Sequence, residues 1–128
     1  MEFSYTILYV KNVTQSVAFY EKAFGLHQHF IHESGQYAQM ETGSTKLAFA
    51  SNELASSNLI NGFQENSLSA QPAGIEIAFT TDDVDAAFNR AVEAGAISLV
   101  VPKQKPWGQK VGYVRDLDGI LIEIASQV

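Results

Sequence analysis

A strand followed directly by a helix, present twice in the chain, is the pattern that most limits what this sequence can fold into. In the second copy, apolar residues alternate through 75–81, which is the two-residue period of a half-buried strand. Apolar residues at helical spacing continue through 84–94, with Asp82 or Asp83 as a carboxylate N-cap and Gly95 placed to end the helix. The helix must cover the face of the strand that carries the large apolar side chains.

The other copy of this pattern lies near the N-terminus. Residues 3–10 are predicted to form a strand and residues 13–24 an amphipathic helix, bounded by the same kinds of capping residue. When the two helices are aligned, Tyr5 falls on Glu76 and the two glycines that end the helices differ by one position. The sequence therefore predicts a duplicated unit, and a repeat of this kind decides the fold.

The remaining elements complete two βαβββ modules, which makes the fold class α+β. In the first module, 1–51, further strands are predicted at 27–33, 37–42 and 46–51. In the second module, 74–128, further strands are predicted at 97–101, ending at Pro102, and at 111–115 and 120–125. Between them, 52–73 is predicted to be a linker or loop with one short helical turn near 53–58. We expect a single domain, 1–128, made of these two repeats.

Composition excludes several classes of function. The formal net charge is -6 and no basic run occurs, which argues against nucleic acid or an anionic membrane as a partner. The chain has no cysteine, which excludes disulfides, cysteine-bound metals and a thiol nucleophile. No apolar run reaches the roughly 18 residues of a membrane span, and the N-terminus lacks the features of a signal peptide. We therefore expect a cytoplasmic protein.

Two carboxylates occupy positions that need an explanation. Glu76 and Glu123 each lie between apolar residues of a predicted strand and point away from the helix layer, where an unpaired charge is costly. Because two strands share a matching ending, Ala48 falls on Glu123 in the duplicate, so Tyr5, Ala48, Glu76 and Glu123 are four equivalent positions. If the two carboxylates lie close together in a dry groove, the pKa of one is raised, and that group could act as a general base.

Together these features resemble the vicinal oxygen chelate superfamily, which includes glyoxalase I, bleomycin-resistance proteins, fosfomycin-resistance proteins and extradiol dioxygenases. The resemblance rests on the duplicated modules, the junction TTDDVDAA and the turn DLDG that precedes Glu123, and it covers essentially the whole chain. It implies mixed sheets curled around a concave cleft, with the helices on the convex side. It is specific for the fold and much less so for the activity.

The resemblance also bears on metal binding. In metal-using members, His, Glu or Gln from the four equivalent strand positions hold one divalent ion. Matched by position, it assigns Glu76 and Glu123 as catalytic residues and, if a divalent metal ion is bound, as its ligands. Tyr5 stands where His is common, and Ala48 has no ligand atom. Two carboxylates and a phenol are poor donors for zinc, nickel or iron, so we expect no tightly bound metal.

The loop around Trp107 resembles the bleomycin-resistance-like branch, whose members bind a ligand without a metal in clefts between two subunits. The indole either offers a flat platform to a ligand or only packs the loop onto the sheet. The predicted ligand-binding residues are Tyr5, Tyr37, Ala48, Trp107, Gln109 and Tyr113. The lysines that could steer an anionic ligand are Lys103, Lys105 and Lys110. The resemblance further implies a homodimer.

Three functions stay open on the sequence alone. The first is the binding of a small organic molecule in a concave cleft without a metal. The second is a metal-dependent lyase, isomerase or dioxygenase that uses Glu76 and Glu123, and the third is a metal-free enzyme with a carboxylate base. The sequence leaves open the ligand and whether the protein is an enzyme. The histidines His27, His29 and His32 are expected on a solvated strand rather than in a metal cluster.

Overall fold

Each half of the sequence folds into a four-stranded mixed sheet with a helix on one face. The computed structural model describes residues 1–128, which divide into two units, Met1–Glu65 and Asn66–Val128. The elements of the first unit are β1 (Tyr5–Val10), α1 (Val13–Phe24), β2 (His27–Ile31), β3 (Tyr37–Glu41), β4 (Lys46–Ser51) and α2 (Asn52–Asn58). The elements of the second unit are β5 (Glu76–Thr80), α3 (Val84–Glu93), β6 (Ile97–Gln104), β7 (Lys110–Arg115) and β8 (Leu121–Ala125).

The two sheets have the same topology. Their strand orders are β1-β4-β3-β2 and β5-β8-β7-β6, so the first strand of each unit lies beside the last. That pair is parallel, and the other neighbours are antiparallel. The structure therefore confirms the α+β fold of two βαβββ modules that the repeat predicted. None of the helices has the length and apolar character needed to cross a membrane.

The helix ends follow from the capping residues in the sequence. Of the two candidate caps of α3, Asp83 is the one used: its side chain accepts a hydrogen bond from the backbone N–H of Ala86 at 3.1 Å. At the other end Gly95 has a φ of 119°, and the N–H of Ala96 donates to the carbonyl of Ala91 at 3.0 Å. This is the hydrogen bond of a Schellman motif, and it turns the chain sharply towards β6.

Each unit buries its helix against one face of its own sheet. In the first unit the ring of Tyr20 on α1 lies 4.8 Å from the ring of Phe49 on β4, and both side chains are fully buried. In the second unit the buried side chains of α3 and of the covered sheet face are Val84, Phe88, Ala91, Val114, Ile122 and Ile124. Alternation along the strands leaves the opposite face of each sheet uncovered by its helix.

Three strands differ from their predicted bounds by more than one residue: β1 begins at Tyr5 instead of residue 3, β2 ends at Ile31 instead of residue 33, and β6 differs most. β6 runs through Pro102 to Gln104 instead of ending at Pro102. It is an edge strand, and its register shifts between Val100 and Lys103, so the missing N–H of the proline falls in an irregularity where no ladder bond is lost. Most other ends agree with the predicted ones within one residue, and α2 fills the place of the predicted helical turn.

The boundary between the two units lies within the segment that was predicted to be a linker. Residues 52–58 of that segment form α2 in the first unit, whereas 66–73 belong to the second unit. The segment therefore carries ordered structure on both sides of the boundary between Glu65 and Asn66.

A glycine in β7 allows α3 to pack closely on the second sheet. A Cβ atom at Gly112 would lie 3.0 Å from Cγ of Pro102 and 3.1 Å from Cδ2 of Phe88. We expect Gly112→Ala to lower the free energy of unfolding by about 1–3 kcal/mol, because neither ring can move without repacking. Gly74→Ala is the matched control, since nothing lies within 4 Å of its added Cβ. Chemical denaturation measures both; equal stabilities for the two variants would contradict the prediction.

Candidate functional site

The open face of the second sheet brings the two predicted carboxylates together. In the register of β5, β8 and β7, Ala78, Glu123 and Tyr113 form one row across the sheet. The neighbouring row consists of Glu76, Leu121 and Arg115. Residues in register point to the same side of a sheet, so all six side chains lie on the face that α3 leaves uncovered.

Alternation within the strands explains this placement. In β8 the isoleucines on either side of Glu123 are buried on the helix face, whereas Glu123 itself is half-buried. In β5 Glu76 is exposed and the next residue, Ile77, turns towards the helix. The sheet therefore buries the isoleucines and leaves both carboxyl groups at the open surface, where ionisation costs less than in a core.

The carboxyl groups of Glu76 and Glu123 hydrogen-bond to each other. This hydrogen bond, burial and the negative charge of Glu76 raise the pKa of Glu123 from 4.5 to about 7, while the nearby Lys105 lowers it. Two carboxylates can form such a bond only when one of them carries a proton. Below about pH 7 Glu123 therefore carries the proton and can donate this hydrogen bond, and above that pH it is ionised and can only accept.

Tyr113 is the third member of the cluster. It lies directly opposite Glu123 in the pairing of β7 with β8. Burial raises its pKa above 10.0, and the charges of Glu123 and Glu76 raise it further. The phenol therefore stays neutral at physiological pH and can donate a hydrogen bond to a carboxylate or to a ligand.

The equivalent positions of the first unit carry different chemistry. Ala48 pairs with Ile7 in β1 as Glu123 pairs with Ala78 in β5, so the two units share one register. Ala48 is fully buried, and Tyr5 is 51% exposed. On the same face Tyr37 accepts a hydrogen bond from the side chain of Gln39 at 3.0 Å. These positions supply a phenol and a methyl group where the second unit has carboxylates.

The loop between β6 and β7 holds Trp107 by a chain of hydrogen bonds. Its indole N–H donates to Oε1 of Gln109 at 2.9 Å, and the Gln109 amide donates to the backbone carbonyl of Ser126 at 3.0 Å. The tryptophan is nevertheless 65% exposed. Its ring therefore does not serve mainly to pack the loop on the sheet.

The lysines of this region differ in their partners. Lys110 forms an ion pair with Asp85 of α3, whereas Lys105 lies close enough to Glu123 to lower the pKa of that carboxyl. Of these two lysines, Lys105 is therefore the one that acts on the carboxyl group of Glu123. Its role was not apparent from the sequence, because the lysine spacing alone does not show which side chain turns towards β8.

The histidines lie in the first unit, with His27 and His29 in β2 and His32 just after its end. Nδ1 of His29 contacts one carboxylate oxygen of Glu41, whose other oxygen lies 3.8 Å from the ammonium group of Lys46. No three histidine, aspartate or glutamate side chains come together as a metal-binding group. The cluster of Glu76, Glu123 and Tyr113 also has no imidazole, and its carboxyl groups bond to each other. These residues do not fit zinc, nickel or iron, which favour imidazole ligands.

One prediction concerns the dependence of stability on pH. The pKa of Glu123 rises from 4.5 to about 7 on folding, so between these values the folded state binds more protons than the unfolded state. The free energy of unfolding must then fall as the pH rises from about 4.5 to about 7 and level off above this range. Glu76→Gln removes the neighbouring charge, which lowers the pKa of Glu123 and flattens this part of the curve.

Denaturation at a series of pH values between 4 and 8 tests this prediction, with Glu93→Gln as the control. Glu93 is exposed on α3, on the covered side of the sheet, and its removal should leave the difference between low and neutral pH unchanged. Parallel curves for the wild-type protein and Glu76→Gln would show that the two carboxyl groups are not coupled.

A protein family, a sequence relative and several solved structures are similar to this chain. The family described as Glyoxalase-like domain matches residues 3–128. The uncharacterized protein YraH of Bacillus subtilis (strain 168) is 30% identical over 119 residues, which are 91% of each chain. A glyoxalase-related enzyme from Fulvimarina pelagi has a TM-score of 0.84 at 22% identity, over 99% of this chain and 88% of its own. A glyoxalase/bleomycin resistance protein/dioxygenase family enzyme from Burkholderia phytofirmans PsJN has a TM-score of 0.86 at 19% identity, over 100% of both chains. The chain therefore belongs to the glyoxalase-like domain family, within the vicinal oxygen chelate superfamily that its sequence resembles.

Proposed function

We propose that this glyoxalase-like protein binds a small organic molecule at the open face of its second sheet, without a tightly bound metal. The observation that carries the proposal is the hydrogen bond between the carboxyl groups of Glu76 and Glu123. At the positions where the resemblance places the metal ligands of metal-using superfamily members, this chain has two carboxyl groups that can share a proton. A shared proton relieves the repulsion between two close carboxylates, as a metal would, but it leaves their other oxygens free to bind a ligand.

The groups around this pair support recognition of a polar organic ligand. Tyr113 supplies a neutral hydroxyl, and Lys105 supplies a positive charge near Glu123. Ala78, beside Glu123 in the sheet, is small and leaves room above the strand, while Leu121 offers an apolar contact. Convergent polar groups on a partly apolar surface are the usual composition of a small-molecule site. The homodimer implied by the sequence stays a prediction.

A second candidate function is favoured by the pKa of Glu123. A carboxyl group that titrates at about 7 can take a proton from carbon and return it at physiological pH. With Tyr113 as a neutral donor opposite it, the same cluster could stabilise the oxygen of an enolate while Glu123 removes the neighbouring proton. The protein would then be a metal-free isomerase or lyase acting on enolisable carbonyl compounds.

The binding proposal is tested by NMR titration of the labelled protein with a panel of small aromatic, amine and carboxylate compounds. We expect the compounds that bind to change the chemical shifts of backbone amides in β5, β7 and β8 around Glu123. Glu123→Gln and Tyr113→Phe should each raise the dissociation constants of these compounds by about tenfold, because a hydrogen bond to a charged group is lost. The control Glu93→Gln should bind them as the wild-type protein does.

The same protein, purified without chelator, is then titrated with manganese, iron, nickel and zinc salts. The proposal predicts no stoichiometric metal and no rise in melting temperature, since only a ligand of the folded state stabilises it. A metal content near one per chain, with a stabilisation that Glu123→Ala abolishes, would overturn the metal-free proposal. Compounds that shift only amides far from β5, β7 and β8 would overturn the assignment of the site.

The catalytic candidate is tested by deuterium uptake from heavy water at the carbon beside a carbonyl group, using a panel of ketones and α-hydroxy ketones. The rate should rise with pH and level off, with a midpoint at about 7, because the ionised form of Glu123 is the base. Glu76→Gln should move the midpoint to lower pH, and Glu123→Gln should reduce the rate by about 100-fold or more. Exchange that survives in Glu123→Gln, or that depends on added metal, would contradict this mechanism.

A further inference from the structure

Arg115, the last residue of β7, joins two separate segments of the second unit. Its Nε donates to the carbonyl of Gly119 at 3.0 Å. Its Nη2 donates to the carbonyls of Ser67 at 3.1 Å and Ala70 at 2.8 Å. All three acceptors are backbone oxygens, so the guanidinium acts as a clamp between the turn that precedes β8 and the segment 67–70, which we call the strap.

The strap is itself an ordered turn. The N–H of Ala70 donates to the carbonyl of Ser67 at 3.2 Å, and the N–H of Ser69 donates to Oγ of Ser67 at 3.2 Å. The fit against the turn is close, because a Cβ atom at Gly119 would lie 2.6 Å from Nη2 of Arg115 and 2.9 Å from the backbone of Ser67. A glycine is therefore needed at position 119, where φ is also +85°.

The strap lies shortly before β5, the edge strand that carries Glu76. β5 pairs only with β8, and Glu76 is its first residue. Ile75, just before it, is 72% exposed and lies outside the strand, so the sheet itself does not hold the chain there. Only five residues, 71–75, separate the strap from β5, and Pro72 stiffens them. The anchored strap therefore limits how far the start of β5 can move from β8.

We propose that Arg115 is a positioning residue: by clamping the strap to the turn before β8, it holds Glu76 within hydrogen-bond reach of Glu123. The inference rests on the proposed function only in that these carboxyl groups belong to the proposed site. Arg115 shares a row with Glu76, yet its donors bond to backbone carbonyls. Its guanidinium therefore acts on the pair through the chain it anchors.

The clamp depends on the shape of the arginine side chain as well as on its charge. A guanidinium group presents several N–H donors in a fixed plane and can serve three carbonyls at once, whereas a lysine ammonium is a compact charge on a flexible stem. Arg115→Lys therefore keeps the charge but loses the clamp, and Arg115→Met loses both. Comparison of these variants separates positioning by hydrogen bonds from an electrostatic effect of the arginine charge.

Hydrogen exchange and the titration of Glu123 test the proposal on the full chain without any ligand. In Arg115→Met we expect the amides of β5 to exchange about tenfold faster or more, because a released edge strand opens locally, while those of β7 remain protected. The pKa of Glu123, followed by carbon NMR, should fall from about 7 towards 4.5 as Glu76 moves away. The groups that face Glu123, namely Glu76 on β5, Tyr113 on β7 and Lys105 in the loop, are unchanged in this variant.

Arg115→Lys should resemble Arg115→Met in both measurements, and the control Arg90→Met, which removes the other arginine of the chain from α3, should resemble the wild-type protein. If Arg115→Met does not fold, the double variant Ser67→Ala, Ser69→Ala loosens the strap and should shift both measurements in the same direction by a smaller amount. Unchanged β5 exchange and an unchanged Glu123 titration would overturn the positioning role. If β5 exchange and the Glu123 titration change as expected but the wild-type protein binds none of the compounds, the proposed function is overturned. The positioning role of Arg115 then still holds.

Discussion

The parallel pairing of β5 with β8 is the contact on which the candidate site depends. These strands are the first and last of their module, and the chain between them forms a helix and two further strands. Only when β8 returns beside β5 does Glu123 come near Glu76, 47 positions earlier in the chain. Long-range parallel pairing must be supported by the core, which the isoleucines of β8 form with α3 on the other side of the sheet. The burial of these residues thus places the carboxyl groups on the open face.

The duplicated backbone shows that the scaffold and the chemistry are separable. In both units the first strand pairs with the last in the same register, and the helix covers the same face of the sheet. Yet the first unit has Tyr5 and Ala48 where the second has Glu76 and Glu123. A carboxyl pair therefore follows from two side chains and not from the βαβββ module itself. Membership of the glyoxalase-like family accordingly defines the fold, while the activity must be argued from these side chains.

Local patterns in the sequence were sufficient for the fold, because strand period, helix period and capping residues each act over a few residues. The alternation around Glu76 and Glu123 also predicted which face they occupy, and the match of two strand endings predicted their equivalence with Tyr5 and Ala48. Contacts that join distant segments could not be found in this way. Lys105 acts on Glu123 through the folding of a loop, and Arg115 bonds to backbone carbonyls 45 and 48 positions away, whose residue types give no signal.

In the proposed metal-free site, a proton shared by the carboxyl groups gives the open face a property that a metal ion would not. A bound metal ion keeps its carboxylate ligands ionised over a wide pH range, whereas a shared proton is lost as the pH passes through the pKa of Glu123, at about 7. The open face therefore changes its charge and its hydrogen-bonding capacity within the physiological range. That change requires the two groups to stay within reach of each other, and Glu76 begins an edge strand with a neighbour on one side only. The acid–base behaviour of the site is consequently set by the local stability of the start of β5 as much as by the carboxyl groups themselves.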